Sequence, residues 1–433
     1  MEVMDFLFIF GAIGLALLAV VTCLRWEPMV FMALTSAMVE VYLGLDVGVE
    51  LGQQTLRLID ALAVMAAVGA LLRLFTVHRL SGPLRWWMLT CVCWGLAALY
   101  GASSYGFATA LGFYRQHFYL SAVALYLMTF DMTAIDIRRA TMMWVGLACI
   151  VMVYSVLARF DPALVNEGLI SVGRRYSFTA ERVVVAGAAM VMGQAALISL
   201  GGWSGMRGAL LLRILAVLLI VAVFLQYHRT AWLASLVGAL AMVRVNMAYL
   251  LRLAPVSVLV LACVAVLWLS GLAAGQDFIT SAVSQAIREP LDAQQSTTIW
   301  RIEGWRILVA EAIGQGPFRI LFGGGFGVGY ERMIQGVEVI FSPHNMYVEI
   351  FLNAGLFGLL PMLGFFASVL HRAMQLRRAG MEPDGFDPAV AVALIVSILV
   401  YSFSYSLGYD QGVLIGILAA ALGSRNAMPQ RTL

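Results

Sequence analysis

Apolar runs of about 20 residues recur almost from one end of the chain to the other. A helix needs about 20 consecutive apolar residues to cross the hydrocarbon core of a bilayer, so each run is long enough for one crossing. Hydrophobic residues make up 62% of the 433 residues and charged residues only 12%, which is about half the charged share of a soluble domain. This pattern excludes a soluble enzyme and predicts an all-α bundle of transmembrane helices.

Hydropathy along the chain predicts about 12 to 13 spans. The first run follows a stretch without a basic residue and precedes no small-residue cleavage site, so we interpret it as a retained helix rather than a signal peptide. The spans are expected near 6–24, 28–46, 55–75, 84–101, 117–136, 140–158, 182–200, 208–227, 230–248, 254–274, 344–370, 388–406 and 410–424.

All 27 basic residues are arginines, and they concentrate in alternate linkers. The positive-inside rule assigns the arginine-rich linkers to the cytoplasm. We therefore expect the other linkers to lie outside, which in a double-membrane bacterium means the periplasm. The net charge of +3 is too small and too dispersed to indicate nucleic-acid binding. The linkers expected outside are 47–54, 102–116, 159–181, 228–229, 275–343 and 407–409.

One predicted outer loop, 275–343, is much longer than a connection requires. It divides the chain into N-terminal transmembrane helices (1–274), the periplasmic loop and C-terminal transmembrane helices (344–433). Apolar residues at helical spacing over 296–311 predict a helix lying on the membrane surface, with Trp305 as one of its interfacial anchors. Because long loops on a rigid scaffold commonly carry function, we expect the site in this region.

His344 stands where this loop meets the next span, directly after Pro343. An imidazole that titrates near neutrality is a good general base for a sugar hydroxyl. Two interpretations remain open at this stage: a catalytic base, or a histidine that caps the helix at the membrane interface.

Several arginines map to the outer side, where the positive-inside rule predicts few. Each one alone is compatible with a membrane anchor or an ion pair, for example with Glu303. As a group beside His344 they favour an anionic ligand such as a pyrophosphate, because a planar guanidinium binds phosphate in a bidentate manner. These outer arginines are Arg174, Arg175, Arg229, Arg288, Arg301 and Arg306.

The glycine-rich run 322–329 contains a Gly-x-Gly but no preceding strand of a βαβ unit, so a nucleotide loop is not indicated. We expect a turn that brings His344 back toward the helices. The carboxylates of the large loop are scattered and the chain has no Asp-x-Asp, so neither a metal nor a cofactor is expected.

His344-Asn345, nine residues, then Gly355-x-x-Gly358 resembles the signature of the O-antigen ligase and O-antigen polymerase superfamily. A helix carrying arginine and tryptophan and the run Leu321-Phe-Gly-Gly-Gly precede the histidine in the order typical of that family. The similarity is best over 227–370.

The resemblance implies a metal-independent membrane glycosyltransferase without a cofactor. Its donor is expected to be a glycan on undecaprenyl pyrophosphate, and its acceptor the lipid A-core oligosaccharide. The implied catalytic residues are His344, Arg301 and Arg229; the implied substrate-binding residues are Arg288, Arg174, Arg175, Asn345, Trp305 and Glu303.

Two other functions remain open. A polymerase of O-antigen or exopolysaccharide would join lipid-linked repeats, but the His-Asn to Gly-x-x-Gly spacing favours a ligase. A transporter of lipid or polysaccharide would have similar hydropathy. The absence of an inverted repeat and the large one-sided loop argue against it.

Overall fold

The computed structural model describes residues 21–22, 24–42, 48–51, 54–76, 80–160, 183–201, 209–226, 228–269, 297–381 and 386–423. These residues are almost entirely helical, which confirms the all-α fold class. Helices rich in apolar residues on every side bury themselves against one another or against lipid. One continuous hydrophobic core joins helices from before and after the large loop.

The first part of the chain forms nine described helices and a small hairpin. A π-helical turn (Ala37–Tyr42) extends the first helix, and an antiparallel pair, β1 (Gly48–Leu51) with β2 (Gln54–Arg57), follows it. The helices are α1 (Glu27–Ser36), α2 (Leu58–Leu74), α3 (Gly82–Tyr105), α4 (Phe107–Met128), α5 (Ala134–Phe160), α6 (Ala186–Gly201), α7 (Ala209–Leu225), α8 (Arg229–Val245) and α9 (Ala248–Leu269).

The later part of the chain carries two helices before a second hairpin, and then three helices of the bundle. The longest of these, α12, contains Pro361 and has a non-helical backbone at Gly355. The elements are α10 (Thr297–Gly314), α11 (Pro317–Phe322), β3 (Arg332–Ile334), β4 (Val337–Val339), α12 (Met346–Arg378), α13 (Pro388–Tyr401) and α14 (Tyr409–Gly423).

Helices α3 and α4 form a tight antiparallel pair. Gly106, with φ of 87°, is the only residue between them, and such a φ favours glycine. The Trp87 indole donates to the Ser121 carbonyl at 3.1 Å, and Trp94 lies edge-on to His117. The predicted outer linker 102–116 is therefore helical on both sides of Gly106, and the helix that holds most of the span predicted at 117–136 is Phe107–Met128. The position of both relative to the membrane stays a prediction.

Helices α8 and α13 also run antiparallel. A Cβ added at Gly238 would lie 2.8 Å from the Ala393 carbonyl oxygen, so the two backbones approach closely at mid-helix. At the end of α8, the Asn246 amide reaches Asp387, the N-cap of α13. The start of α8 is therefore level with the end of α13.

We call the end of the bundle where α12 begins the site end. The opposite end holds the arginines at the other helix termini: Arg73 donates to the Thr129 hydroxyl at 3.2 Å, and Arg372 donates to the Leu422 carbonyl at 3.1 Å. His344 and Arg301 lie at the site end. Arg73 and Arg372, both predicted to be cytoplasmic, and the predicted catalytic base thus occupy different ends, while the side of the membrane that each end faces stays a prediction.

Three described helices are long and apolar enough to cross a membrane: Gly82–Tyr105, Ala134–Ala158 and Met346–Arg378. Five shorter apolar helices accompany them: Ala186–Gly201, Leu210–Leu225, Ala248–Ala262, Pro388–Tyr401 and Tyr409–Gly423. The predicted number of 12 to 13 spans and the division at 274 and 343 stay predictions. The span at 6–24 lies outside the described residues, apart from a short stretch near its end.

Candidate functional site

His344 occupies a sharply turned junction between the large loop and α12. Its φ of 50° lies in the left-handed region, which is uncommon for a residue other than glycine. The Trp305 indole of α10 donates to the Pro343 carbonyl at 2.6 Å on one side of the histidine. On the other side, the Asn345 carboxamide accepts from the backbone N–H of Tyr347 and Val348. These bonds hold the backbone on both sides of the imidazole.

The helix cap of α12 is thus Asn345, not His344. This excludes the alternative in which the histidine itself caps the helix. His344 as a residue is exposed, so a ligand can approach it. Trp305 is half-buried and bonded within the protein, and its predicted role as an interfacial anchor stays a prediction.

The glycine-rich run packs against the kink of α12 and forms hydrogen bonds with it. Gly324 and Gly325 donate their N–H groups to the carbonyls of Leu352 and Asn353, both at 2.8 Å. A Cβ at Gly355, whose φ is 61°, would lie 2.4 Å from the Leu321 carbonyl. The two glycine elements of the sequence signature therefore meet in one joint, where only glycine allows this approach.

A short segment after α13 lines the other side of the site. The Tyr405 ring lies 6.4 Å from the His344 ring, and the Arg301 guanidinium carbon lies 5.5 Å from the Tyr405 ring centre. Arg301 also approaches the Ser404 carbonyl at 3.5 Å. A histidine, an arginine and a tyrosine from three separate elements thus converge on one surface.

Arg332 on β3 contributes a second guanidinium near His344. It is buried and donates to the carbonyls of Tyr330 and Phe341 at 2.8 and 2.9 Å. Gly304 of α10 leaves room for it, since a Cβ there would lie 2.8 Å from the Arg332 Nε.

Partial burial and the neighbouring charges set the pKa of His344. Neighbouring protein atoms partly withdraw the imidazole from water and lower its pKa, although the residue as a whole is exposed. The positive charges of Arg301 and Arg332 lower the pKa further, and the negative charge of Glu349 opposes them. His344 is therefore neutral at pH 7 and able to accept a proton.

Glu349, in the first turn of α12, is buried beneath this surface with an exposed fraction of 7%. Ser406 donates to its Oε2, and the Tyr330 hydroxyl lies 3.4 Å from its Oε1. The His117 Nε2 lies 3.9 Å from the same Oε1. Asn353 donates to the Tyr330 hydroxyl at 2.9 Å. The result is a buried polar cluster within otherwise apolar packing.

The structure brings some of the predicted site residues together. Arg301, Trp305 and Asn345 lie around His344 as described, and Glu303, half-buried on α10, accepts from Gln335 at 3.4 Å. Arg229 is the first residue of α8, whose start is level with the end of α13 at the site end. Arg174, Arg175 and Arg288 lie outside the described residues. The roles of all these residues stay predictions.

The sequence did not reveal Arg332, Glu349 or His117 as candidates. Glu349 has the ordinary appearance of an acidic residue in the first turn of a helix, and His117 lies in an apolar run. A carboxylate inside the turn that follows His344-Asn345 was the one available signal. Among the described residues, no group of three or more histidine, cysteine, aspartate or glutamate side chains is arranged to hold a metal ion.

Comparison with known families bears on the same region. Residues 214–363 match the family model described as O-antigen ligase. This region is similar to the O-antigen ligase family. The match covers about a third of the chain and confirms the resemblance predicted from the histidine and glycine pattern. The search of curated proteins finds no match to this chain.

The matched region contains Arg229, Arg301, His344 and Gly355. Members of this family are membrane glycosyltransferase-like enzymes that act on lipid-linked glycans. The helices that complete the surface, α4 with His117 and the segment with Tyr405, lie outside the matched region. The matched region therefore depends on the rest of the bundle to enclose its polar cluster.

Proposed function

We propose that this protein is an O-antigen ligase that transfers a glycan from undecaprenyl pyrophosphate to the lipid A-core oligosaccharide. The single observation that supports this proposal best is the placement of His344. An accessible imidazole with a lowered pKa lies beside the Arg301 guanidinium, within a region similar to the O-antigen ligase family.

The reaction is a single displacement. His344 takes the proton from the acceptor hydroxyl as that oxygen attacks the anomeric carbon of the donor. The bond between the anomeric carbon and the phosphate oxygen breaks, the pyrophosphate leaves with its lipid, and the anomeric configuration inverts. A neutral base is needed for this step, and partial burial together with the positive charges of Arg301 and Arg332 lowers the pKa of His344.

The arginines have a different task. The leaving pyrophosphate gains negative charge in the transition state, and a preorganised guanidinium stabilises that charge. Arg301, whose guanidinium lies near the same Tyr405 ring as His344, is suited to this position. Arg229 at the start of α8 is the second candidate, supported by Arg288, Arg174 or Arg175. These guanidinium groups take the place of a divalent metal ion.

The site belongs on the periplasmic side of the bacterial inner membrane, because the lipid A-core acceptor and the flipped lipid-linked donor meet there. The arrangement of arginines at the opposite end of the bundle agrees with that orientation under the positive-inside rule.

The decisive experiment supplies purified protein in detergent with a glycan on undecaprenyl pyrophosphate and two acceptors in separate reactions. We expect glycan to appear on lipid A-core oligosaccharide, and the rate to be unchanged by excess EDTA. Growth of the lipid-linked glycan in place of transfer to lipid A-core would identify a polymerase. Movement of glycan across a vesicle membrane without a covalent product would identify a transporter.

A further inference from the structure

Glu349 has no part in the displacement described above, yet its burial is costly. A carboxylate removed from water destabilises the protein unless hydrogen bonds or opposite charges compensate it. Its side chain is 7% exposed and lies one helical turn after His344, in an otherwise apolar bundle. A residue kept there at such a cost invites a functional explanation.

Each element packed around Glu349 offers it a polar partner. Ser406, after α13, donates to Oε2. Tyr330, at the end of the glycine-rich run, faces Oε1 at 3.4 Å and stays protonated, because burial and the nearby carboxylate raise the pKa of Tyr330. His117 of α4 approaches Oε1 at 3.9 Å. None of these partners is an arginine, so no guanidinium neutralises the carboxylate directly among the contacts described.

The charges that face His344 explain what the carboxylate does. The charge of Arg301 acts on His344 from α10, that of Arg332 from β3 and that of Glu349 from α12. The Tyr405 ring lies 6.4 Å from the His344 ring. Among the described groups that act on the imidazole, Glu349 is the one negative charge. The segment Ser404–Ser406 connects the surface around His344 with the buried carboxylate. Tyr405 lies near both Arg301 and His344, and Ser406 donates to Glu349.

A base beside two guanidinium groups faces a difficulty once it has taken up a proton. The imidazolium that forms is repelled by both arginines, and this repulsion weakens the base in the step where it is needed. A fixed negative charge behind the imidazole offsets the repulsion, as in sites where a carboxylate stabilises a protonated histidine.

We propose that Glu349 is a positioning residue whose buried carboxylate, held by Ser406 and Tyr330, stabilises the imidazolium that His344 becomes when it accepts the proton of the acceptor hydroxyl. The proton stays on His344 and is not passed to Glu349. This inference rests on the proposed role of His344 as the base.

The test compares Glu349→Gln with the wild type and with Glu311→Gln, a matched change at an exposed glutamate on α10. The pH profile of kcat in wild type should fall on acidification with a midpoint below about 6.5, the ordinary pKa of histidine. In Glu349→Gln we expect the midpoint to move to lower pH by about one unit, kcat to fall about tenfold, and KM to change less than threefold. Glu311→Gln should match the wild type.

A second measurement does not depend on transfer. Diethyl pyrocarbonate acylates neutral imidazole, and the modification of His344 can be followed by mass spectrometry as a function of pH. The midpoint should shift to lower pH in Glu349→Gln. Glu349→Asp keeps the charge but withdraws it, so a smaller shift is expected, and this variant replaces Glu349→Gln if the latter does not accumulate in the membrane.

An unchanged midpoint of His344 modification in both variants would overturn the inference, whether or not His344 is the base. A purely structural role for Glu349 would lower the amount of folded protein and leave the midpoint of the remaining protein in place. Full transfer activity in His344→Ala would instead overturn the proposed function, so the two failures are distinguishable.

Discussion

Two histidines face the same carboxylate from different surroundings. His344 is exposed at the start of α12, between Arg301 and Arg332, whereas His117 is 2% exposed on α4, against the rings of Trp94 and Phe326 at 5.3 and 5.1 Å. Glu349 lies near both. The two imidazoles therefore have different environments, one exposed and one buried, although Glu349 lies near both.

The difference teaches that access decides which histidine is chemically useful. A general base must lie within hydrogen-bond reach of the group that it deprotonates. His344 is exposed at the turn between Pro343 and Asn345, where an acceptor hydroxyl can approach it. His117, enclosed by aromatic rings, is suited to filling the space behind Glu349. Variants at the two positions should separate these roles.

The largest effect is expected for His344→Ala. Loss of a general base typically costs about 10² to 10⁴-fold in rate, so transfer should nearly vanish while the protein inserts and folds normally. His371→Ala, at an exposed histidine toward the opposite end of α12, is the matched control and should transfer at the wild-type rate. Transfer is measured as glycan attached to lipid A-core oligosaccharide. Equal rates for both variants would remove the distinction between the two histidines.

A smaller loss is expected for Arg301→Ala, which removes the guanidinium beside His344. Removing one preorganised group that stabilises transition-state charge typically costs about 10² to 10³-fold. Arg301→Lys should recover part of this activity, because an ammonium supplies charge without bidentate geometry. Arg378→Ala, at an exposed arginine at the end of α12, controls for the lost charge. Full activity in Arg301→Ala would show that another cation holds the donor.

The smallest effect on transfer is expected for His117→Gln. The amide keeps a polar group facing Glu349, so the rate should stay within about threefold of wild type while stability falls by about 1–3 kcal/mol, the usual cost of a disturbed buried hydrogen-bonding group. Thermal unfolding in detergent and the transfer assay together give the answer. A variant that is as stable as wild type but inactive would assign His117 a chemical role and overturn the comparison.

Much of this architecture was predictable from local patterns. The apolar runs predicted an all-α bundle because backbone groups in lipid must be satisfied within each helix. The polar residues near Gly106 predicted a linker at 102–116, and the structure shows that α3 and α4 continue to either side of that glycine. Hydropathy locates the apolar part of a helix and not the turns beyond it.

The sequence by itself determined the helical class, the resemblance to the O-antigen ligase superfamily, and His344 with its glycine partners, since each depends on residue types at short spacing. Only the tertiary structure decided that Gly355 meets the glycine-rich run. It also places the charges of Arg332 and Glu349 near His344, and His117 beside Glu349. The physical reason is that the role of a buried charge depends on the groups that surround it in space. Those neighbours come from helices, a hairpin and a segment far apart in the chain, and no spacing along the sequence encodes their contact.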